Sequence, residues 1–227
     1  MENVSLPPEI TPRIVFEDTH LVVLNKPAGL LSQGEATGDV NLVDYLRGYF
    51  GRNYVGLVHR LDRNTSGLMV VAKRSKSADR LTQSLQNGKL VRKYQAWVEG
   101  EVKTSARWEH YLLKDEKSNL VRVHPSGKKS ALKATPLETS TLGGTLITLL
   151  EFELETGRSH QIRVQASAEG YPLVGDIKYG KTLSSDSKKF PRPALHSHWI
   201  SFPHPMTEDV LTFSEPLPKD MLSLRRR

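Results

Sequence analysis

The sequence predicts an α+β fold, a mixed, mainly antiparallel sheet with flanking helices. Three observations point to it. Short apolar runs bounded by turn residues outnumber helical repeats. The helical repeats are scattered among the strands with no strict strand–helix alternation. The chain has 227 residues, 37% of them hydrophobic, which is enough for a sizeable core in one large domain or two closely joined lobes.

Residues 1–12, spotted with Pro7, Pro8 and Pro12, read as an N-terminal arm. Arg13–Phe16 and Leu21–Leu24 follow as two strands joined by a turn at 17–20. Asn41 is placed as an N-cap for a helix carrying Leu42, Val43, Leu46 and Phe50 on one face. Leu57–Val58 and Leu68–Ala72 read as buried strands around a polar connection. Ser77 to Gln86 reads as a helix stopped by Gly88, and Val91–Val98 as a returning strand. From Trp108 to Glu155 hairpins are expected, turning at Ser126-Gly127 and Gly143-Gly144. Residues 157–170 have mixed strand and helix character, and Leu195–Phe202 and Val210–Phe213 are late strands. The expected organisation is an arm at 1–12, one catalytic domain at 13–222 and a basic tail at 223–227.

Composition excludes several chemistries. There is no cysteine, so disulfides, cysteine-ligated zinc, iron–sulfur clusters and a thiol nucleophile are ruled out. No apolar run has the length of a membrane span and the first residues lack a secretory pattern, so a cytoplasmic protein is expected. The formal net charge is +7, which suits a polyanionic partner but also an ordinary basic enzyme. His196 and His198 share a strand spacing without a third ligand nearby, so no metal is expected. Lys114, Lys117, Arg122, Lys128, Lys129 and Lys133 gather along the hairpin region, as an RNA contact or a solvated face.

Three segments carry residues suited to chemistry. In residues 59–67, His-Arg-Leu-Asp-Arg-Asn-Thr-Ser-Gly, a carboxylate sits on a polar turn between buried strands, rigidly held yet reachable. The plainer reading is an Asp62 that accepts hydrogen bonds from its own turn and pairs with Arg60 or Arg63. Residues 157–164, Gly-Arg-Ser-His-Gln-Ile-Arg-Val, combine Arg158, His160, Gln161 and Arg163 with apolar Ile162 and Val164; a solvated helix face is the alternative. Tyr94 lies in a strand, where core packing is the default.

Together these segments resemble the RluA-type family of pseudouridine synthases, over roughly Val15 to Met221. Residues 59–67 match that family's His-Arg-Leu-Asp-x-x-Thr-Ser-Gly at every specified position, and 157–164 match its Gly-Arg-Ser/Thr-His-Gln-Ile/Leu-Arg-Val. Lys93-Tyr94, Val174-Gly175-Asp176, Tyr179-Gly180, Leu195-His196, His204-Pro205 and Pro216-Leu217-Pro218 agree as well. Gln165 and Tyr171 stand where many relatives have histidine, and Lys128–Leu137, with Leu132 and Ala134, follows the family only loosely.

The resemblance implies a catalytic domain with a central cleft; many members of the family also carry a small S4 RNA-binding domain, and with ordered sequence beginning near Arg13 none is expected here. It implies isomerisation of uridine to pseudouridine in tRNA or ribosomal RNA, with structured RNA as partner, a monomeric state and no DNA or membrane. Asp62 falls on the essential aspartate, Tyr94 on the tyrosine that stacks on the target base, and Arg163 on the arginine that pairs with the aspartate. Arg60 falls on the residue that fills the gap left by the extruded base. Arg158, His160 and Gln161 are expected near the RNA, and Ile162 and Leu173 in the aliphatic floor. The reaction has no net redox change and no group donor, so no cofactor is expected. The competing readings are a non-catalytic RNA binder on the same scaffold and, more distantly, a base-releasing N-glycosidase.

Overall fold

The computed structural model describes residues 6–34, 38–51 and 53–225. The start of the expected arm, at 1–5, and Arg226 and Arg227 of the expected tail lie outside them. Residues 13–222 contain two compact units: the first takes in the chain up to Arg92 and Ser197–Glu215, the second Lys93–His196 and the chain from Pro216.

In chain order the first unit opens with a 3-10 turn at Pro8–Ile10. It continues with β1 (Arg13–Glu17), β2 (Leu21–Lys26), α1 (Leu42–Phe50), β3 (Gly56–Leu57), β4 (Ser66–Ala72) and α2 (Ser75–Gln86). Strand β5 (Val91–Glu99) enters the second unit at Lys93, and β6 (Ala106–Asp115), β7 (Leu120–Val123), β8 (Lys128–Leu142), β9 (Thr145–Leu154), α3 (Gln161–Ala168) and α4 (Ser185–Lys189) follow in it. Strand β10 (Leu195–Pro203) passes back to the first unit at Ser197, where β11 (Val210–Ser214) completes it, and α5 (Lys219–Leu222) belongs to the second.

The expected α+β class with a mainly antiparallel sheet is what forms. In the first unit the strand order is β1-β2-β4-β10, with β3 on β4 and β11 on β10; in the second it is β5-β9-β8-β6-β7. Among the described residues the β1–β2, β2–β4, β3–β4, β10–β11, β5–β9, β6–β7, β6–β8 and β8–β9 pairings are antiparallel, and Leu31 and Asn41 form an isolated parallel bridge. Strand β8 carries Pro136, which removes a ladder donor. A register shift between Pro136 and Glu138 absorbs it, beyond the last residue that pairs with β6, Ala134.

Each unit has its own core. In the first, Leu21, Val23, Leu68, Val70, Leu81, Ile200 and Phe202 pack together; in the second, Trp97, Ile147, Leu149, Val174, Ala194 and Met221 do so. Helix α1 begins where its cap predicts, the Asn41 side chain accepting from the Asp44 N–H, and ends at Gly51 in the left-handed region. Two expectations need correction. The strand expected at Leu57–Val58 is only Gly56–Leu57 and is half-buried, because the chain turns away at Val58 to bury His59. Residues 157–170 contain helix α3 and no strand.

Candidate active site

The segment bearing Asp62 is held almost residue by residue. His59 is fully buried, and its Nε2 accepts a hydrogen bond from the Val70 N–H at 3.2 Å. Burial, with the Arg92 charge nearby, pushes its pKa down to about 3, so the ring is neutral and free to act as an acceptor. Leu61 points inward; its N–H donates to Ser32 Oγ at 3.2 Å, and that hydroxyl donates to Leu61 O at 2.7 Å. The Thr65 N–H donates to Asp62 O at 3.0 Å, closing the turn.

Lys26 is the unexpected anchor. Its side chain is wholly buried at the end of β2. The ammonium donates to the carbonyls of Pro27, Leu30 and Arg63 at 2.9, 2.8 and 3.1 Å. A buried ammonium is costly unless its donors are satisfied, and here three acceptors tie the 27–30 turn to the residue after Asp62. Gly29 N–H donates to the same Arg63 carbonyl at 2.9 Å, while Arg63 donates from Nε to Gly29 O and from Nη1 to Asp39. Gly67 ends the segment at φ +118°, with its Cα against the backbone of Ser197; a Cβ would overlap that carbonyl. The outcome is a rigid loop with Leu61 turned in, Arg60 exposed and Asp62 half-buried.

The second unit supplies a separate cluster. Tyr94 lies in β5, 4% exposed, opposite Phe152 of β9. Arg163, on α3, forks onto Asp176 through Nε at 2.7 Å and Nη2 at 2.9 Å, the two side chains being 11% and 1% exposed. Asp176 also accepts from the N–H groups of Lys178 and Tyr179. The Arg163 guanidinium lies over the Tyr179 ring at 5.0 Å. The Tyr179 hydroxyl accepts from the Val121 N–H at 3.1 Å and lies 2.6 Å from His160 Nδ1. Because the amide uses an oxygen lone pair, the hydroxyl hydrogen is available to that nitrogen.

Gln161 makes the tight entry into α3. Its Oε1 accepts from Thr156 Oγ1 and the Arg158 N–H at 2.8 and 3.0 Å, and its Nε2 donates to Ala131 O at 3.0 Å. The residue before it, His160, sits in the left-handed region at φ 53°, an uncommon conformation for a side-chain-bearing residue. The buried Gln161 therefore shapes the loop, while Arg158 is exposed. Ile162 and Leu173 are buried, Leu173 forming a bridge with Val98.

Residues 20–168 match the sequence profile of the RNA pseudouridylate synthase family. This chain belongs to that family. It is an RNA pseudouridine synthase, an isomerase. The chain is 35% identical over 220 residues to the uncharacterized RNA pseudouridine synthase YhcT of Bacillus subtilis (strain 168), covering 94% of this chain and 71% of YhcT. It is 33% identical to the ribosomal large subunit pseudouridine synthase D of Escherichia coli O6:H1, covering 96% and 71% of the two chains. In fold it is similar to human RNA pseudouridylate synthase domain containing 1, with TM-score 0.78 and 23% identity over 94% of this chain and 86% of that one.

Of the residues singled out from the sequence of this synthase, Asp62 and Arg60 belong to the first unit. Tyr94, Arg158, His160, Gln161, Ile162, Arg163 and Leu173 belong to the second. Three supporting residues escaped that reading. Lys26 and Ser32 fix the Asp62 loop, and Asp176 fixes Arg163. A charged residue closing an apolar strand before Pro27, and a carboxylate in the Val174-Gly175-Asp176 string, were the signals available. Among the described residues no group of three or more His, Asp or Glu side chains is arranged to hold a metal, and no helix is long and apolar enough to cross a membrane.

Proposed function

We propose that this synthase isomerises uridine in ribosomal RNA, with Asp62 as the reacting carboxylate. The single observation that carries the residue assignment is the Asp62 loop: a half-buried carboxylate on a turn fixed from both sides by Lys26, Ser32 and Gly67. Such a carboxylate needs no reorganisation before it reacts. Pseudouridine formation breaks the bond from uracil N1 to C1′, turns the base and joins C5 to C1′. Three roles are chemically open to Asp62: attack on C1′, attack on C6, or removal of the 2′ proton. Each balances without a donor or an oxidant, so no cofactor enters.

In this reading Arg163, whose guanidinium is fixed by its fork on Asp176, is the cation that favours the ionised form of the reacting carboxylate. Tyr94 supplies the face on which the extruded uracil rests, with Ile162 and Leu173 as the aliphatic floor. Arg60, exposed beside the loop, fills the vacancy in the RNA stack; unstacking a base costs a few kcal/mol, which such a replacement offsets. Arg158 meets phosphate, and His160 and Gln161 act through the shape of the loop before α3. Residues 13–222 are the catalytic domain, with an arm before and a basic tail after, acting as a monomer in the cytoplasm where ribosomal RNA is found.

Ribosomal RNA is preferred to tRNA because a relative 33% identical over nearly the whole chain is a ribosomal large subunit synthase. The test is incubation of the purified protein with unmodified ribosomal RNA and tRNA, followed by carbodiimide labelling and reverse-transcription mapping. New stops at defined uridines of ribosomal RNA are expected. Stops confined to tRNA would overturn the substrate, and free uracil with abasic sites would overturn the reaction.

A further inference from the structure

Arg92 is the second residue of β5 and the last of the first unit before the chain passes to the second. The strand turns it inward: it is 6% exposed, while its neighbours Val91 and Lys93 are half-buried on the opposite face. On that face Lys93 meets two carboxylates, Glu151 at 3.4 Å and Glu153 at 3.3 Å. Arg92 meets none. Among the described residues its guanidinium makes no hydrogen bond and no ion pair.

Other deeply set arginines of this protein are neutralised, Arg163 by its fork on Asp176 and Arg192 by its fork on Asp220. A buried cation without a counter-charge is costly, and arginine is seldom buried unless paired. Nε of Arg92 is sealed from solvent, but Nη1 and Nη2 are not. The small exposure of this residue therefore reaches the open end of its fork, the part that takes hold of a phosphate. The stem is already fixed by burial, so binding there orders little that is not ordered beforehand.

Position in the first unit narrows the ligand. The Arg92 charge acts on buried His59, which directly precedes Arg60 and lies three residues before Asp62. In each role open to Asp62 the ribose of the reacting nucleotide lies against the Asp62 loop, and that ribose carries a phosphate on either side. The chemistry also calls for such a contact. Once the bond from N1 to C1′ is broken the uracil turns separately, so the sugar needs a hold that does not run through the base.

We propose that Arg92 binds a backbone phosphate flanking the reacting uridine, through Nη1 and Nη2, a role that rests on the RNA-modifying function proposed for Asp62. The phosphate supplies the counter-charge that the buried guanidinium otherwise lacks.

The experiment pairs RNA binding with stability in the full-length protein. Arg92→Met keeps a long side chain and removes the charge. Its affinity for ribosomal RNA should fall about tenfold, the value of one charge-assisted pair. The slope of log affinity against log salt should fall by about one. Arg92→Lys retains a cation and should retain the slope. In urea unfolding without RNA, the midpoint of Arg92→Met should equal or exceed that of wild type, because an uncompensated charge has left the interior. An arginine that serves only the fold would give the opposite. Short RNAs carrying a single uncharged methylphosphonate on one side or the other of a mapped target uridine locate the contact. One of the two should weaken wild-type binding about tenfold and leave Arg92→Met unaffected. An unchanged salt slope, a lowered midpoint for Arg92→Met, or equal sensitivity of wild type and Arg92→Met to both methylphosphonates would overturn this role. The salt slope and the midpoint are read without turnover, so their failure is distinguishable from failure of uridine isomerisation.

Discussion

Arg163 is constrained on two sides, by the Asp176 carboxylate in the plane of its guanidinium and by the Tyr179 ring beneath it. Lysine at this position would keep the charge but not the planar fork. Arg163→Lys is therefore expected to fold and to lose about tenfold or more in single-turnover rate, roughly 1.4 kcal/mol of transition-state alignment. Unchanged rates would show that alignment comes from elsewhere. His59 allows a separate test by pH. Its pKa lies at about 3 in the folded protein against about 6.5 in an unfolded chain, so the unfolded state binds the extra proton. Stability is then full above about pH 6.5 and declines as pH falls toward 3. His59→Gln retains an acceptor for Val70 N–H without titrating. It should flatten this decline in urea unfolding between pH 5 and 7, and a slope equal to wild type would contradict the buried neutral histidine. The chemically distinctive residues were legible because their strings are local. Lys26 and Asp176 were not, because what each does depends on partners 37 and 13 residues away.

Elements were readable where one face is buried and a conventional cap marks the end. Helix α1 meets both conditions, through Leu42 and Leu46 and the Asn41 cap. Helix α3 meets neither. It buries Gln161, Ile162, Val164, Gln165 and Ala166 around most of its circumference, and it is entered through the Gln161 side chain with His160 in the left-handed region. Strand β3 was overestimated because apolar Val58 belongs to the core without pairing in the sheet. Strand β4 depends on a residue with no side chain: Gly67, where positive φ and contact with the Ser197 backbone coincide. Gly67→Ala is expected to destabilise the protein by about 2–4 kcal/mol, from conformational strain and displacement of the neighbouring strand. It should also lower activity by loosening the Asp62 loop. A loss below about 0.5 kcal/mol in urea unfolding would show that β10 yields easily and that the loop does not rely on this contact.

For the molecule as a whole, the charge of +7 matches a polyanionic substrate, but charge alone did not separate an RNA enzyme from any basic protein. That separation came from the conjunction of the Asp62, Tyr94 and Arg163 strings and from family membership. The division into two compact units, each with its own core, was only partly legible, since periodicity assigns elements without saying which core each one joins. The central claim is that Asp62 performs the chemistry in a scaffold whose shape does not depend on its charge. Its most direct measurement compares wild type with Asp62→Asn, under single-turnover conditions on ribosomal RNA carrying mapped target uridines, with RNA affinity measured in parallel. Asn keeps the shape and removes the reacting charge. The expected result is wild-type RNA affinity with pseudouridine formation reduced to background. Pseudouridine formed by the Asn variant at a rate close to wild type would contradict the assignment.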